Sequence, residues 1–261
     1  MSQTNVLRAP PHITSLLSRL HRESAIQEAS ITPAEYEPIK ALYETDPDAA
    51  SKALDDLMRD KAIALDQDKA EFVYQTVLST RARNIAEIGK PPLDDLAAKG
   101  TSHGISTIYL ALALAALDND NDNDNDNDNA GRIIATEKEP SKAALARQHW
   151  EACGDLVTSR IDLREGDLLD TLTSPNRALP MLDFVLLDIW PGVALPALRA
   201  LMPHLRPGAV VVTDNTVASA DRYRELLAVL RDAEGEFRSL TVPFKGGLEV
   251  SVYMPREGRG V

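Results

Sequence analysis

Residues 86–89 read Ala-Glu-Ile-Gly, and residues 100–107 read Gly-Thr-Ser-His-Gly-Ile-Ser-Thr. The first run is typical of the end of a strand, and the second of a glycine-containing turn that leads into a helix. In a doubly wound sheet this turn lies at the switch point where ligands bind, and glycine lets the backbone approach them closely. The dinucleotide pattern G-x-G-x-x-G is absent, which disfavours an NAD-dependent oxidoreductase.

From residue 84 onward, short β-rich apolar runs alternate with amphipathic helical runs. This alternation predicts βαβ units around a buried sheet. The runs 237–243 and 248–254 then follow each other directly and are joined by residues 245–247, Lys-Gly-Gly, which predicts a hairpin. We therefore expect an α/β fold, doubly wound, with a mostly parallel seven-stranded sheet and a C-terminal antiparallel hairpin at its edge.

The first part of the chain differs from the rest because it carries only helical periodicity, interrupted by Pro33, Pro38 and Pro47. We expect residues 1–66 to form an N-terminal helical extension that caps the α/β domain of residues 67–261. Such a cap could cover a substrate or form the interface of a homodimer, and the sequence leaves both alternatives open.

Composition excludes several classes of function. The chain has 261 residues, 44% of them hydrophobic, with 28 basic and 40 acidic residues and a net charge of −12. One large core is expected, and the negative charge repels nucleic acids and anionic membrane surfaces. The lone Cys153 cannot form an internal disulfide, and neither a signal pattern nor a run of about 20 apolar residues is present. These features predict a soluble, cytoplasmic protein that contacts neither nucleic acid nor membrane.

Two segments interrupt the pattern. Residues 118–129 are six Asp-Asn repeats, for which we expect a solvated, disordered loop, since the tract lacks the glycine and the distal glutamate of a calcium loop. Residues 90–100 fall inside the turn described above. Without these 11 residues, the chain reads Glu-Ile-Gly-Thr-Ser-His-Gly-Ile-Ser.

That contiguous motif resembles the first motif of the class I methyltransferases, and in particular of the catechol-type, metal-dependent O-methyltransferases. The resemblance continues in order through residues 68–261. It implies S-adenosyl-L-methionine as cofactor, a small molecule with a hydroxyl group as substrate, and an in-line displacement at the sulfonium methyl. A divalent metal would lower the pKa of the acceptor hydroxyl.

The resemblance also implies a set of cofactor-binding residues. Glu137 would accept hydrogen bonds from both ribose hydroxyls, and Asp167 would accept one from the adenine amine. Alternatively, Glu137 is a plain charge before a helix and Asp167 belongs to an ordinary turn. The full set is Glu87, Gly89, Gly100, Gly104, Ser106, Glu137 and Asp167.

Three residues at the ends of two strand-like runs form the predicted metal site, namely Asp188, Asp214 and Asn215. Side chains at the carboxyl ends of adjacent strands converge on the ligand crevice, and hard oxygen donors suit Mg²⁺. In the family that the chain resembles, these are the three protein ligands. The alternative is that they merely begin loops after strands.

The resemblance further implies that Trp190 forms an aromatic wall of the substrate pocket and that Glu249 binds a second substrate hydroxyl. With Asp188, they complete the predicted catalytic set. Trp190 could instead be a core residue, and Glu249 could be a solvent-facing position of a strand.

The chain departs from the family pattern at two places. Pro191 stands where the family usually has a lysine that serves as general base, so metal activation alone, Lys245 or His103 would have to replace it. The insertion at 90–100 falls where the cofactor is expected, or else arises from a mis-assigned coding sequence. Two further hypotheses therefore stay open: a catalytically degenerate binding protein with this fold, and methylation without a metal, for instance at nitrogen.

Overall fold

The protein is described from a computed structural model, which covers residues 6–43, 45–58, 63–89, 102–119 and 131–256. Gly100, most of the Asp-Asn tract and the insertion lie outside these ranges. Within them, no helix combines the length and the apolar character needed to cross a bilayer.

The sheet has seven strands in the order β3-β2-β1-β4-β5-β7-β6. Strands β1 to β5 pair in parallel, and β7 pairs antiparallel with both β5 and β6. The α/β fold, the mostly parallel sheet and the antiparallel C-terminal pair are therefore confirmed. The strands are β1 (Asn84–Gly89), β2 (Arg132–Glu137), β3 (Ile161–Glu165), β4 (Leu182–Asp188), β5 (Leu205–Asp214), β6 (Phe237–Val242) and β7 (Leu248–Tyr253).

Ten α-helices are found in the described part of the chain, and they cover both faces of the sheet. They are α1 (Pro11–Ala29), α2 (Pro33–Leu42), α3 (Pro47–Met58), α4 (Gln67–Thr80), α5 (Ile105–Asn119), α6 (Pro140–Cys153), α7 (Asp155–Thr158), α8 (Leu168–Thr173), α9 (Pro191–Leu201) and α10 (Arg224–Leu230). Pro33 and Pro191 begin helices, because a first-turn residue needs no backbone N–H partner, whereas Pro38 lies inside α2 and does not interrupt it as the sequence suggested.

Alternate residues along the strands supply two separate apolar cores. On β4, Phe184 and Leu186 pack with α1, α4, α5 and α6, whereas Val185 and Leu187 pack with α8, α9 and α10. Helix α1 thus shares a core with the α/β domain. A third, small cluster joins α2 and α3 to the carboxyl end of β4 through Ile39, Leu54 and Trp190.

The structure also gives the strand order of the C-terminal hairpin, which the sequence did not predict. After α10 the chain forms the edge strand β6, and the returning strand β7 lies between β6 and β5. The turn contains Gly246 and Gly247, whose φ angles of 76° and 79° are in the region that glycine tolerates best. Gly247 N donates to Phe244 O at 2.8 Å and closes this turn.

Candidate active site

Four predicted site residues lie at one edge of the sheet. Gly89 pairs with Asp188 across β1 and β4, Glu137 ends the neighbouring strand β2, and Asp214 ends β5 on the other side. All four strands are parallel, so their carboxyl ends meet at this edge. It is the edge at which open α/β sheets bind ligands.

Glu137 is the most buried acid on the β2 side of this edge, with 2% of its surface exposed. Its Oε1 accepts a 2.8 Å hydrogen bond from Glu139 N, and its backbone oxygen accepts one of 3.0 Å from Gly166 N. The second bond brings the loop of Asp167 beside Glu137. Asp167 is exposed and caps α8, because its Oδ1 accepts hydrogen bonds from Leu169 N and Asp170 N.

Gly104, which directly precedes α5, is held by a contact from α6. Gly104 has a φ of 72°, and a Cβ there would lie 2.3 Å from Nε1 of Trp150. That indole donates a 2.9 Å hydrogen bond to Gly104 O, so the position requires glycine for space as well as for conformation. Among the described residues other than glycine, φ is positive at Arg81, His103 and Asn215. The last two lie at this site, where strained backbone is often functional.

Glu87 and Ser106, both predicted to bind the cofactor, bind each other. The hydroxyls of Ser106 and Thr107 donate to the carboxylate of Glu87. Burial raises the pKa of Glu87 to about 7, and the nearby charge of Asp188 adds to this, although the two hydroxyls act in the opposite direction. Glu87 therefore fixes the start of α5 to the sheet from inside the core.

Asp214 makes a contact that the sequence did not predict. Its Oδ1 accepts a 2.8 Å hydrogen bond from Nζ of Lys69 and a 2.7 Å bond from Asn215 N, and its Oδ2 accepts a 3.0 Å bond from Nδ2 of Asn215. Lys69 lies in the first turn of α4, is 1% exposed and also forms an ion pair with Asp66 at 3.1 Å.

Charge holds this group of residues together. Burial alone would lower the pKa of the Lys69 amine, but Asp214 and Asp66 raise it above its usual value, so the amine stays charged. Burial and the neighbouring Asp188 raise the pKa of Asp214, and Lys69 opposes them. Asp188 also raises the pKa of the buried Tyr223 hydroxyl, after burial itself. The charge of Asp188 is thus felt by buried groups on β1, β5 and the start of α10.

The arrangement does not fit the predicted Mg²⁺. Both oxygens of Asp214 already accept hydrogen bonds, one of them from a buried ammonium. A dication bound there would have to displace Lys69 Nζ or lie against it. The contacts of Asp214 therefore give no support to a metal held by Asp188, Asp214 and Asn215.

Trp190 lies where the sequence placed a wall of the substrate pocket, directly after β4. It is 8% exposed and packs with Ile39 and Leu54. The guanidinium carbon of Arg222 lies 4.9 Å from the centroid of the Tyr43 ring and 5.9 Å from that of Trp190, within the range of a cation–π interaction. The N-terminal helices α2 and α3 therefore cover this side of the site.

Glu249 is not brought together with Asp188 and Asp214. It is 1% exposed, and its carboxylate accepts two 2.8 Å hydrogen bonds from Arg231 and one of 2.6 Å from Thr241. Burial would raise the pKa of Glu249, but Arg231 and Thr241 hold it below its usual value. Arg231 ends α10 on one face of the sheet, whereas Asp214 contacts α4 on the other.

The structure also shows what surrounds Lys245 and His103, the two residues considered as substitutes for the missing general base. Lys245 is 75% exposed and pairs with Glu28 at 3.0 Å. The carbonyl of His103 lies 2.9 Å from Nδ1 of His149, and the two imidazole rings meet edge to face. Lys69, which sequence reasoning missed, is closer to the strand-end carboxylates than Lys245. The sequence could have indicated Lys69, because its spacing places it on the buried face of α4 with Ala70, Val73 and Val77.

Comparison with known proteins gives the family of the central region. A family described as a methyltransferase domain matches residues 98–216, a little under half of the chain. A Mycobacterium tuberculosis protein named "Probable O-methyltransferase Rv1703c" is 32% identical over 133 residues, which are 48% of this chain and 54% of that protein. The chain thus spans about half the length of the curated relative it matches.

Solved structures show the same fold. Cofactor-bound Rv0187 of M. tuberculosis matches with a TM-score of 0.59 and 23% identity over 87% of this chain and all of that one. An O-methyltransferase of Bacillus cereus, in complex with SAH, matches with a TM-score of 0.57 and 21% identity, over 84% of this chain and 98% of that one. TomG of Streptomyces achromogenes, in complex with SAM, matches with a TM-score of 0.59 and 20% identity, over 95% of this chain and 92% of that one. The resemblance predicted from the sequence is thus confirmed as a methyltransferase domain over residues 98–216 and as the fold of these solved structures.

Proposed function

We propose, from the premise that residues 98–216 form a methyltransferase domain on the fold of the O-methyltransferases, that this chain is an S-adenosyl-L-methionine-dependent O-methyltransferase. Its substrate is a small molecule with a hydroxyl group. The observation that carries the proposal is the buried carboxylate of Glu137 at the carboxyl end of β2, at the same edge of the sheet as Gly89, which ends the neighbouring strand β1.

The residues at the turn fit the cofactor by their chemistry. The carboxylate of Glu137 is a bidentate acceptor that suits two vicinal ribose hydroxyls. Gly89 ends β1 without a side chain at the point where the edge opens, and Asp167 lies on the next loop, which Gly166 fastens to Glu137. When bound, S-adenosyl-L-methionine supplies an electrophilic methyl group. Glu87 and Ser106 support this surface from behind it, since they hold the start of α5.

The acceptor hydroxyl would bind between Asp188, which ends β4, and Trp190, two residues later and just before α9. The carboxylate of Asp188 would accept a hydrogen bond from the hydroxyl, orient its oxygen toward the methyl group and take its proton, as the oxygen–methyl bond forms, the methyl–sulfur bond breaks and S-adenosylhomocysteine leaves. Trp190, covered by α2 and α3, would exclude water and provide a flat wall. Such positioning supplies much of the acceleration expected for a one-step displacement.

Several finer predictions stay predictions. A divalent metal at Asp188, Asp214 and Asn215 has no support in the contacts of Asp214, and the substrate role of Glu249 has none in its pairing with Arg231. We keep as proposals the division into an extension of residues 1–66 and a domain of residues 67–261, a cytoplasmic location and a homodimer. Packing of Trp190 with Ile39 and Leu54 favours the covering role of the extension over a purely dimeric one.

Calorimetric titration with S-adenosylhomocysteine, with and without Mg²⁺, tests the proposal. We expect binding in the micromolar range by the wild-type chain and at least about a tenfold loss in Glu137→Gln, because two charge-assisted hydrogen bonds weaken. Glu139→Gln, a change of the same type in the same loop, should bind as the wild type does. A folded wild-type chain that does not bind would contradict the proposal.

Turnover separates the enzyme from the degenerate binding protein. Methyl transfer from labelled S-adenosyl-L-methionine to catechols, vicinal diols and amines should give product with a hydroxyl acceptor. Tight binding of S-adenosylhomocysteine without product from any acceptor would favour the binding protein. Product from amines alone would favour N-methylation.

A further inference from the structure

Lys69 is in an unfavourable position by ordinary criteria. A cation in the first turn of a helix opposes the helix dipole, and a lysine that is 1% exposed loses nearly all of its hydration. A buried ammonium is retained only where opposite charges compensate for both effects. Lys69 has two such charges, Asp66 at 3.1 Å and Asp214 at 2.8 Å.

The contact with Asp214 joins distant parts of the chain, since the two residues are 145 positions apart. It fastens the start of α4 to the carboxyl end of β5, at the edge where the site lies. The remaining hydrogen bonds of Asp214 come from Asn215, whose φ of 59° turns the chain back onto the carboxylate. Both oxygens of Asp214 are therefore engaged, Oδ1 by Lys69 and Asn215 and Oδ2 by Asn215.

We propose that the Lys69 ammonium takes the place of the divalent cation at this edge, so that the chain neutralises its strand-end carboxylates with its own side chain and binds no Mg²⁺ there. Lys69 acts as a positioning residue. It fixes Asp214 and Asn215 and offsets the negative charge that Asp188 and Asp214 would otherwise concentrate. The part of this inference that concerns methyl transfer rests on the proposed function, whereas the part that concerns metal binding does not.

Direct binding of Mn²⁺, a spectroscopic substitute for Mg²⁺, tests the inference on the full chain without any need for activity. Electron paramagnetic resonance measures free Mn²⁺ in titrations of the wild type, Lys69→Met and Lys69→Arg. We expect no site in the wild type or Lys69→Arg at millimolar Mn²⁺. Lys69→Met removes the competing charge, and we expect at least about a tenfold gain in Mn²⁺ affinity, because a cation then no longer competes with a buried ammonium for the carboxylate of Asp214.

Two controls locate the gained site. Lys245→Met removes the same charge from an exposed lysine that pairs with Glu28, and it should leave Mn²⁺ binding unchanged. Adding Asp188→Asn to Lys69→Met should abolish the gain. A micromolar Mn²⁺ site in the wild-type chain that Asp214→Asn removes would overturn the inference. So would a folded Lys69→Met variant that binds Mn²⁺ no better than the wild type.

If Lys69→Met does not fold, the wild-type titration decides by itself, together with the Asp214→Asn comparison. Methyl transfer adds a second readout, since we expect less than about a twofold change in rate with EDTA, whereas a metal-dependent site would lose nearly all activity. If the chain has no transferase activity, the proposed function is contradicted, but the inference about the cation is not. The Mn²⁺ titration would still decide which cation occupies the site.

Discussion

The hydroxyl of Thr107 donates a hydrogen bond of 2.6 Å to Oε2 of Glu87, and both residues are buried. With the hydroxyl of Ser106 on the other oxygen, this contact fixes the start of α5 to β1. The carboxyl group is held in a position where its ionised form is poorly solvated, which makes it a source of pH-dependent stability.

Stability should therefore fall as pH rises from about 4.5 to about 7. The pKa of Glu87 rises from 4.5 to about 7 on folding, so between these values the folded chain binds more protons than the unfolded chain. The favourable contribution is complete below pH 4.5 and is lost by pH 7, a cost of about 3 kcal/mol. Between pH 5 and 8, the free energy of unfolding of Glu87→Gln should rise relative to that of the wild type by about that amount.

Urea unfolding at several pH values measures this difference. The exposed Glu151→Gln serves as a control, for which we expect a change within about 0.5 kcal/mol at every pH. If the free energy of unfolding changes with pH in Glu87→Gln as it does in the wild type, Glu87 is ionised in the folded chain across this range.

Gly104→Ala should be much more destabilising than Gly154→Ala, although both glycines have φ near 74°. The new Cβ at residue 154 meets nothing within 4 Å, so only backbone strain is expected, about 1–3 kcal/mol, because its ψ of −169° lies in a region that is almost restricted to glycine. At residue 104 it lies 2.3 Å from Nε1 of Trp150, which adds about 1–3 kcal/mol of overpacking. Thermal and urea unfolding give the two values, and equal losses would mean that Trp150 moves aside freely.

The Arg231–Glu249 pair should act on stability rather than on substrate binding. Arg231→Met leaves the Glu249 carboxylate buried without its cation and should cost about 2 kcal/mol, a value reduced because Arg231 is 44% exposed. Glu249→Gln should cost less. Arg256→Met breaks an exposed pair with Glu234 and should change stability by less than about 0.5 kcal/mol.

Kinetics on the same variants decide the role that the sequence predicted for Glu249. At a temperature where all variants are folded, we expect the KM for the acceptor to stay the same. A rise in KM in Glu249→Gln that Arg231→Met does not share would favour the predicted contact with a second substrate hydroxyl.

The mostly parallel sheet and its antiparallel C-terminal pair could be predicted because both follow from local signals, whereas the strand order could not. Apolar runs ending in acids, such as the run before Asp188, predict parallel strands whose ends converge. The face that Glu249 presents could not be predicted in this way. It depends on the register of β7 against β5, in which Thr213 opposes Glu249, and a shift by one residue would move the side chain to the other face.

Lys69 shows a different limit. Its helix position on a buried stripe is visible in the sequence, but its partner Asp214 is 145 residues away, and only the packing of α4 against the sheet brings them together. Asp167 is an intermediate case. The turn chemistry of Gly-Asp was recognised, and the structure shows Asp167 as the cap of α8, while its contact with a cofactor remains a prediction.

Trp190→Ala should loosen the N-terminal helices before the rest of the chain. Trp190 is the residue through which α2 and α3 reach the sheet, by way of Ile39 and Leu54, whereas α1 packs into the large core. Truncation of a buried tryptophan costs about 3–5 kcal/mol in a core, and a small cluster at the surface should lose about 2. Hydrogen exchange should then accelerate about tenfold or more in α2, with β1 and β4 unchanged. Leu240→Ala, at a 67% exposed position, is the control and should change neither region. Equal acceleration in α2 and in the strands would mean that the helical extension and the sheet unfold as one unit, and the role of α2 and α3 as a separate cover over the substrate side would have to be abandoned.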